Sequence, residues 1–385
     1  MSISLVMAVY NKLDLTKKCY ERVRELYPES PFVISSGGSS DGTKEWLESL
    51  DDEHLSYIHD DDRLTFSDTY NAGIKLVDTD KLVLIHNDMV LGEQFLENLE
   101  TLLDENPNTL ISYTTIEPPI FKGHMRAGKV LLDLGSGFDD FNYFHFNNFV
   151  NQWKGSKNLY NGAVFFMSGT KKMFDDIGGF DGFSFVPAFC EDDDFLLRAK
   201  LKGYELKTCD SAIVYHFVSQ TSRFSDDYKK DRILYEVSSN RNFVRKWGIP
   251  FSAFNELIFW EEKDFKYKTF IMGLTTNSRN RLMEIEPFFD KIELGTIPED
   301  YIQNEQKNTR YDLRSKFTFT DNVDVMIYET SPFDDNDVRT LHKLRLSIPY
   351  YEPGEYEIPA VITATDAAGN KTIFNDVLVV DTVPN

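Results

Sequence analysis

Cysteine is scarce. Cys19, Cys190 and Cys209 are the only three in 385 residues, and they stand far apart. Three isolated cysteines suit neither a disulfide framework nor a zinc site, and a reducing, cytoplasmic compartment is the expectation. Long apolar runs are missing as well, and none approaches the roughly 20 residues that a membrane-spanning helix needs. The chain starts Met1-Ser2-Ile3-Ser4-Leu5-Val6, a strand pattern with no basic leader, so no signal peptide is expected. Positive charge is in deficit, with 41 Lys and Arg against 63 Asp and Glu and a net charge of −22. That balance argues against nucleic acid as a partner and against docking on anionic membrane. Internal repeats and low-complexity tracts are absent. What is present is 41% hydrophobic and 14% aromatic residues, enough for two or three globular domains. Such a chain is suited to meeting sugars, metals or small anions at local sites.

The first part alternates two rhythms. Ile3 to Val9 reads as a strand, Asn11 to Leu26 as a helix with Leu15, Cys19, Val23 and Leu26 on one face, and Pro28 and Pro31 break it. Phe32 to Ile34 is a second strand, running into a small-residue loop from Ser35 to Thr43 that admits close approach of a ligand to the backbone. A helix from Lys44, a strand at Leu55 to Ile58 and a helix from Thr65 to Val77 follow. This β-α-β-α order predicts an α/β fold with a mostly parallel sheet, helices on both faces and functional loops at the strand carboxyl ends.

One such end stands out. Leu82-Val83-Leu84-Ile85 is a buried-strand run that stops abruptly in His86-Asn87-Asp88. Asp88 is a hard oxygen ligand suited to magnesium or manganese, and Asn87 can both donate and accept hydrogen bonds. Taken alone, an Asn-Asp pair here is more often a polar turn. Phe138 to Trp153 then interleaves six phenylalanines and tyrosines with asparagines and acids; any single ring more often packs in a flap over a core, but as a group they suit stacking on sugar faces and are the candidate acceptor-side loop. Asn161 to Met167 reads as another strand, with Gly162 placed for close approach. Glu191, Asp192, Asp193 and Asp194 precede helical spacing that ends at Gly203, which puts four acids at a helix amino terminus. Ala212 to His216 is a strand delivering one histidine.

Four pieces in order, Val6-Met7-Ala8-Val9-Tyr10-Asn11, Gly38-Ser39-Ser40-Asp41-Gly42-Thr43, Tyr70-Asn71-Ala72-Gly73 and His86-Asn87-Asp88, resemble the landmarks of family 2 glycosyltransferases with the GT-A fold. Glu191-Asp192-x-Asp194 with Arg198 and Gly203-Tyr204 resembles that family's acceptor-base motif. The resemblance covers about residues 1–222 and implies a metal-dependent, inverting glycosyltransferase. It implies a nucleotide-sugar site in which Tyr10 lies against the base, the backbone near Ala8 contacts it and Asn87 reaches the ribose, with Asn71 and Gly162 lining the same site. The resemblance favours a UDP-sugar, but Ser36 stands where the family often has an acid that reads uracil, so GDP- and dTDP-sugars stay open. Asp88 and His216 would hold manganese or magnesium. His86 stands where the metal motif usually opens with an acid, and its role is left open. Asp192 matches the catalytic base, Glu191 its usual neighbour and Asp194 a structural acid. The partners implied are a nucleotide-sugar donor and a glycan or other hydroxyl acceptor.

The remainder carries less chemistry. Residues 223–310 read as a helical or small α/β extension, with an amphipathic helix from Asp226 to Trp247, a strand near Lys268 to Leu274, a helix from Asn277 to Phe289 and a strand at Ile292 to Leu294. From Lys316 the rhythm becomes period two, and 311–385 reads as an immunoglobulin-like β-sandwich able to contact a protein or polymer. The rival to an enzyme is a catalytically degenerate glycan-binding or structural module, because a fold alone does not fix activity.

Overall fold

The computed structural model describes residues 2–119, 127–218, 226–250 and 271–318, positions 323, 325–329, 332–335, 337, 338 and 341, and the backbone of 355–365 and 371–379. The chain divides into two compact units, a first running to Arg232 and a second starting at Ile233.

The first unit is a mixed α/β domain built on one sheet. β1 (Ile3–Val9), α1 (Leu13–Leu26), β2 (Phe32–Gly37), α2 (Thr43–Glu48), β3 (Leu55–Asp60), α3 (Phe66–Lys75) and β4 (Lys81–Ile85) alternate as the sequence predicts. Their four strands lie side by side, all parallel, in the order β3-β2-β1-β4. Leu82 to Ile85 are fully buried, as expected for a strand covered on both faces. Burying each such side chain contributes about 1.5–3 kcal/mol. α3 sits close on β1 and β2 because Gly73 faces them: a Cβ there would lie 3.1 Å from Val6 and 3.2 Å from Ser35.

Beyond β4 the sheet is mixed rather than mostly parallel. β5 (Met89–Leu91), α4 (Phe95–Glu105), β6 (Thr109–Glu117), β7 (Lys129–Leu131), α5 (Tyr143–Gln152), β8 (Leu159–Asn161), β9 (Met167–Thr170), α6 (Lys171–Ile177), α7 (Glu191–Leu201) and β10 (Glu205–His216) complete the unit. The order continues β4-β9-β6-β10-β5, with β9 antiparallel to both neighbours, β6 parallel to β10 and β5 antiparallel to β10. The strand expected over Asn161 to Met167 is not formed: residues 162–166 are irregular, and only Asn161 and Met167 belong to strands, as the end of β8 and the start of β9. Gly162 makes the break, with φ of 97° that a strand cannot hold. Every residue of β6 is buried although it reads Thr-Leu-Ile-Ser-Tyr-Thr-Thr-Ile-Glu, because its hydroxyls are satisfied internally. Ser112 Oγ donates to the Val164 carbonyl at 2.9 Å and Thr114 Oγ1 to the Cys209 carbonyl at 2.8 Å.

The second unit takes most of α8 (Asp226–Trp247) and a five-stranded sheet ordered β12-β11-β13-β15-β14. β11 (Met272–Thr275), β12 (Lys291–Glu293) and β13 (Val325–Tyr328) are parallel, and β14 (Glu355–Thr365) and β15 (Lys371–Val379) form an antiparallel hairpin. β13 bonds to β11, so strands from either side of residue 310 share one sheet. The helix expected from Asn277 to Phe289 is instead a 3₁₀ turn, four α-helical residues and a second 3₁₀ turn containing Pro287, whose ring cannot continue an α-helix. The strand expected at Leu341 to Ile348 falls almost wholly outside the described residues, as does much of the expected sandwich.

Candidate active site

The turn at His86-Asn87-Asp88 leaves β4 and feeds β5, which runs back along β10 with Met89 opposite His216. The Phe217 amide donates to the Asp88 carbonyl at 3.0 Å and locks this register. Two residues far apart in sequence therefore meet: His216 Nε2 lies 3.3 Å from Asp88 Oδ1, and His86 Nδ1 lies 3.9 Å from the same oxygen. One ligating atom from each of the three falls within 4.8 Å of the others.

A second carboxylate backs the cluster. Glu117 ends β6, beside β10 in register, and its Oε1 lies 3.7 Å from His216 Nδ1. Lys129 Nζ holds Glu117 Oε2 at 3.0 Å and Thr115 Oγ1 donates to Oε1 at 3.1 Å. Burial acts against charge on His216, but the Asp88 and Glu117 carboxylates outweigh it and lift its pKa to about 9. Burial likewise opposes charge on Glu117, which His216 and Lys129 overcome, holding it at about 2. His86 is different. Burial dominates, Asp88 only partly offsets it, His216 adds to it, and its pKa falls to about 4, so its imidazole is neutral near pH 7.

Tested against a metal ion, the group fits. It offers one carboxylate and two imidazoles; His216 Nε2 lies beside Asp88, and His86 Nε2 is buried with no hydrogen-bond partner. A mixed nitrogen and oxygen set suits manganese or another first-row ion better than magnesium, which prefers oxygen and keeps its waters.

The residues expected around a nucleotide are placed as follows. Ala8 and Tyr10 end β1, and the Arg63 guanidinium lies over the Tyr10 ring, 4.6 Å from its centroid. Ser36 is buried at the end of β2, where its hydroxyl donates to Ser39 Oγ and meets His59 Nδ1, each at 3.0 Å. Ser39 Oγ in turn accepts from the Asn11 amide at 2.8 Å, which ties the loops after β1 and β2 together. Gly38 makes that loop: its φ is 81°, and a Cβ would sit 2.6 Å from the Arg63 backbone. Asn87 is buried and donates from Nδ2 to Thr16 Oγ1 at 3.0 Å. Both ends of the Asn71 carboxamide are taken by the Phe180 backbone, its Nδ2 donating to the carbonyl and its Oδ1 accepting from the amide, each at 2.8 Å. A nucleotide contact by Asn71 would have to replace one of these bonds. Gly162 sits at the first half of β10, its amide donating to the Leu206 carbonyl at 2.9 Å and its carbonyl accepting from Thr208 Oγ1 at 2.7 Å. The structure brings Asp88, His216 and His86 together and ties Ser36 to the loop beside Tyr10; it anchors Asn71 and Gly162 to backbone elsewhere.

α7 opens on the acids. Phe189 (φ 81°) and Cys190 (φ 67°), both in the left-handed region that disfavours side chains, aim the chain into Glu191. Glu191 is buried and its Oε2 has no hydrogen-bond partner; burial first, then Asp192, raises its pKa to about 8. Asp193 is also raised, by burial and then by Asp192. Asp194 anchors the end: Arg198 pairs with its Oδ2 at 2.8 Å and donates to the carbonyls of Ile177 and Gly179, each at 2.7 Å. The Phe66 amide donates to the Pro187 carbonyl at 2.9 Å, fastening the α7 approach to the start of α3.

Sequence reasoning passed over Glu117 and the aromatic layer of Phe66, Phe165 and Phe166. The ring centroids of Phe165 and Phe166 lie 4.9 and 5.3 Å from that of His86, and Phe166 lies 5.0 Å from His216. The signal for Glu117 was an acid at the end of a strand, as for Asp88, but the strand itself is rich in Thr and Ser and lacks the apolar run that marks β4. The stretch expected to form an acceptor-side loop, Phe138 to Trp153, is largely helix α5; Phe141 and Phe146 pack with Tyr215 and Phe217, while Phe144 stays 72% exposed.

Residues 4–178 match the family model described as Glycosyl transferase family 2. The match spans under half of the chain, and it supports a glycosyltransferase of that family in the first unit. No curated protein matches the chain. Among solved structures, the chain is similar to the mannosyltransferase PcManGT from Pyrobaculum calidifontis in complex with GDP-Man and Mn²⁺, at 15% identity and TM-score 0.44 over 67% of this chain and 68% of that one. It is similar to S. aureus TarS at 10% identity and TM-score 0.43, over 68% of this chain and 50% of that one. It is also similar to GalNAc-T7 with UDP, GalNAc and Mn²⁺ at 12% identity and TM-score 0.47, over 79% and 54%. The match spans about half the length of the last two chains.

Proposed function

We propose that the chain is a metal-dependent, inverting glycosyltransferase that moves a sugar from a nucleotide-sugar, a UDP-sugar first among donors, to a hydroxyl of a glycan or other acceptor. The observation that carries this reading is the convergence of Asp88, His216 and His86 at the carboxyl end of β4, beside residues that match a glycosyl transferase family. Asp88 and His216 hold the ion, manganese before magnesium, and His86 adds its neutral imidazole. Bound there, the ion supplies positive charge to the leaving diphosphate. Tyr10 lies against the base and Ala8, Ser36 and Asn87 frame the donor, with Asn71 holding the segment before α7. Asp192, with Glu191 beside it, accepts the proton of the acceptor hydroxyl as that oxygen bonds to the anomeric carbon and the bond to the diphosphate oxygen breaks on the opposite face. Residues 311–385 take the accessory role, together with the part of 223–310 whose strand β11 shares a sheet with β13. The three free, buried cysteines suit a cytoplasmic setting.

The test is a thermal-shift panel of UDP, GDP and dTDP with and without Mn²⁺, followed by hydrolysis of the matching nucleotide-sugar. A shift that needs both nucleotide and metal is expected, with hydrolysis lost in Asp88→Ala. Inertness toward every nucleotide, combined with tight glycan binding, would favour the degenerate module instead.

A further inference from the structure

Glu117 plays no part in the transfer chemistry described above, yet it is built with care. It is 7% exposed, stands at the last position of β6, and faces His216 across the parallel β6–β10 pair, where Ile116 is in register with Tyr215. Its two oxygens are set by different groups, Oε2 by Lys129 Nζ at 3.0 Å and Oε1 by Thr115 Oγ1 at 3.1 Å. Oε1 is the oxygen turned toward the imidazole, 3.7 Å from His216 Nδ1, and that nitrogen is buried with no hydrogen-bond partner. The opposite nitrogen, Nε2, is the one beside Asp88. One face of the ring thus looks at the candidate ion and the other at a fixed carboxylate.

We propose that Glu117 is the positioning residue of the metal centre: it receives the Nδ1–H of His216 and so fixes the tautomer that leaves Nε2 free to ligate. This rests on the metal reading given above. Metal-bound histidines commonly donate their second N–H to a carboxylate, which sets the ring's orientation and strengthens it as a ligand. At 3.7 Å the contact is longer than a hydrogen bond, and closing it takes a movement of only about 0.5 Å. Lys129 and Thr115 serve the same arrangement one step further out, by keeping Glu117 from turning its oxygens elsewhere. The neighbouring strand ladders make the geometry a property of the sheet.

The experiment is Mn²⁺ binding to the full chain, followed by electron paramagnetic resonance and calorimetry, for the wild type, Glu117→Gln and Thr115→Val. Loss of a metal-positioning carboxylate typically costs about 10–100-fold in affinity. Glu117→Gln should therefore weaken Mn²⁺ binding by about that factor, and Thr115→Val, which keeps the charge and removes the hydrogen bond that orients it, by less. The Co²⁺-loaded protein should show a changed ligand-field spectrum in Glu117→Gln, which a merely structural role would leave alone. Thermal unfolding without metal controls for folding, and Thr115→Val provides a second reading if Glu117→Gln unfolds. Unchanged Mn²⁺ affinity and an unchanged Co²⁺ spectrum in both folded variants would overturn this inference and leave the metal site standing. Failure of the wild type to bind Mn²⁺ at all would overturn the metal reading and this inference with it.

Discussion

Asp192 and His86 are the residues whose side-chain chemistry is most exposed to test. Asp192 lies in the first turn of α7, where the backbone amides favour a carboxylate, with Glu191 buried beside it. Its replacement by Asn keeps the volume and removes the proposed base. Asp192→Asn should lower transfer by at least about 10²-fold, the usual minimum for a general base, while binding of nucleotide and Mn²⁺ is retained; wild-type transfer rates would refute the assignment. His86 brings nitrogen to a place where an acid would bring oxygen. The wild type should accordingly prefer Mn²⁺ to Mg²⁺, and His86→Asp should narrow that preference by about tenfold, equivalent to ~1.4 kcal/mol, read as the ratio of calorimetric affinities. An unchanged ratio would show that His86 points away from the ion in the loaded protein. Asp88 and His216 were legible because each ends an apolar run with a polar group, and an apolar run predicts both burial and the strand's end. Glu117 was not, since β6 is rich in Thr and Ser and its burial rests on internal hydrogen bonds that no periodicity reveals.

At the scale of elements, two devices hold the site and the second unit in shape. The first is the pair of clamps on the segment before α7, Asn71 on the Phe180 backbone and Arg198 on the carbonyls of Ile177 and Gly179. Asn71→Ala would leave a buried amide unsatisfied, at a cost of about 1–3 kcal/mol in urea unfolding, and should slow transfer by loosening α7. The second is a buried ionic cluster. Glu286 is fully buried, pairs with Arg245 at 2.6 Å and with Lys316 at 2.6 Å, and accepts from the Tyr301 hydroxyl at 2.9 Å. Burial would raise this carboxyl, but Lys316 and Arg245 prevail and hold it at about 2, against an ordinary value of 4.5. Its folded pKa is therefore below its unfolded one. The stability it contributes is present above pH 4.5 and disappears as the pH falls from there toward 2. Glu286→Gln should destabilise the protein by about 3–5 kcal/mol at neutral pH, since it strands buried cations, and should flatten the acid limb of the unfolding curve. An acid limb identical to the wild type would contradict this account of the cluster. Elements with a clear period were readable from sequence to within a few residues, β1 through β4 above all. Those decided by one residue were not: Gly162 breaks the strand expected there, and the residues around Pro287 form 3₁₀ turns where the helical spacing continues.

The whole molecule joins a unit matched by a glycosyl transferase family to a second unit built on its own sheet. Among the described residues no helix is long and apolar enough to cross a membrane. Because β13, β14 and β15 all lie after Gln306, removal of everything beyond it would take three of the five strands from the second unit's sheet. Removal of the β14–β15 hairpin alone is the cleaner probe of an accessory role, and it should spare donor hydrolysis while weakening action on a large acceptor. Loss of donor hydrolysis in a folded variant of that kind would place part of the active site in the second unit. Asp88 and His216 are the proposed holders of a divalent ion at a nucleotide-sugar site. Anomalous X-ray scattering from crystals soaked in Mn²⁺ and UDP tests this most directly. A manganese peak within bonding distance of Asp88 Oδ1 and His216 Nε2, with diphosphate density against it, is the predicted result; manganese bound elsewhere, or diphosphate density remote from these two residues, would contradict it.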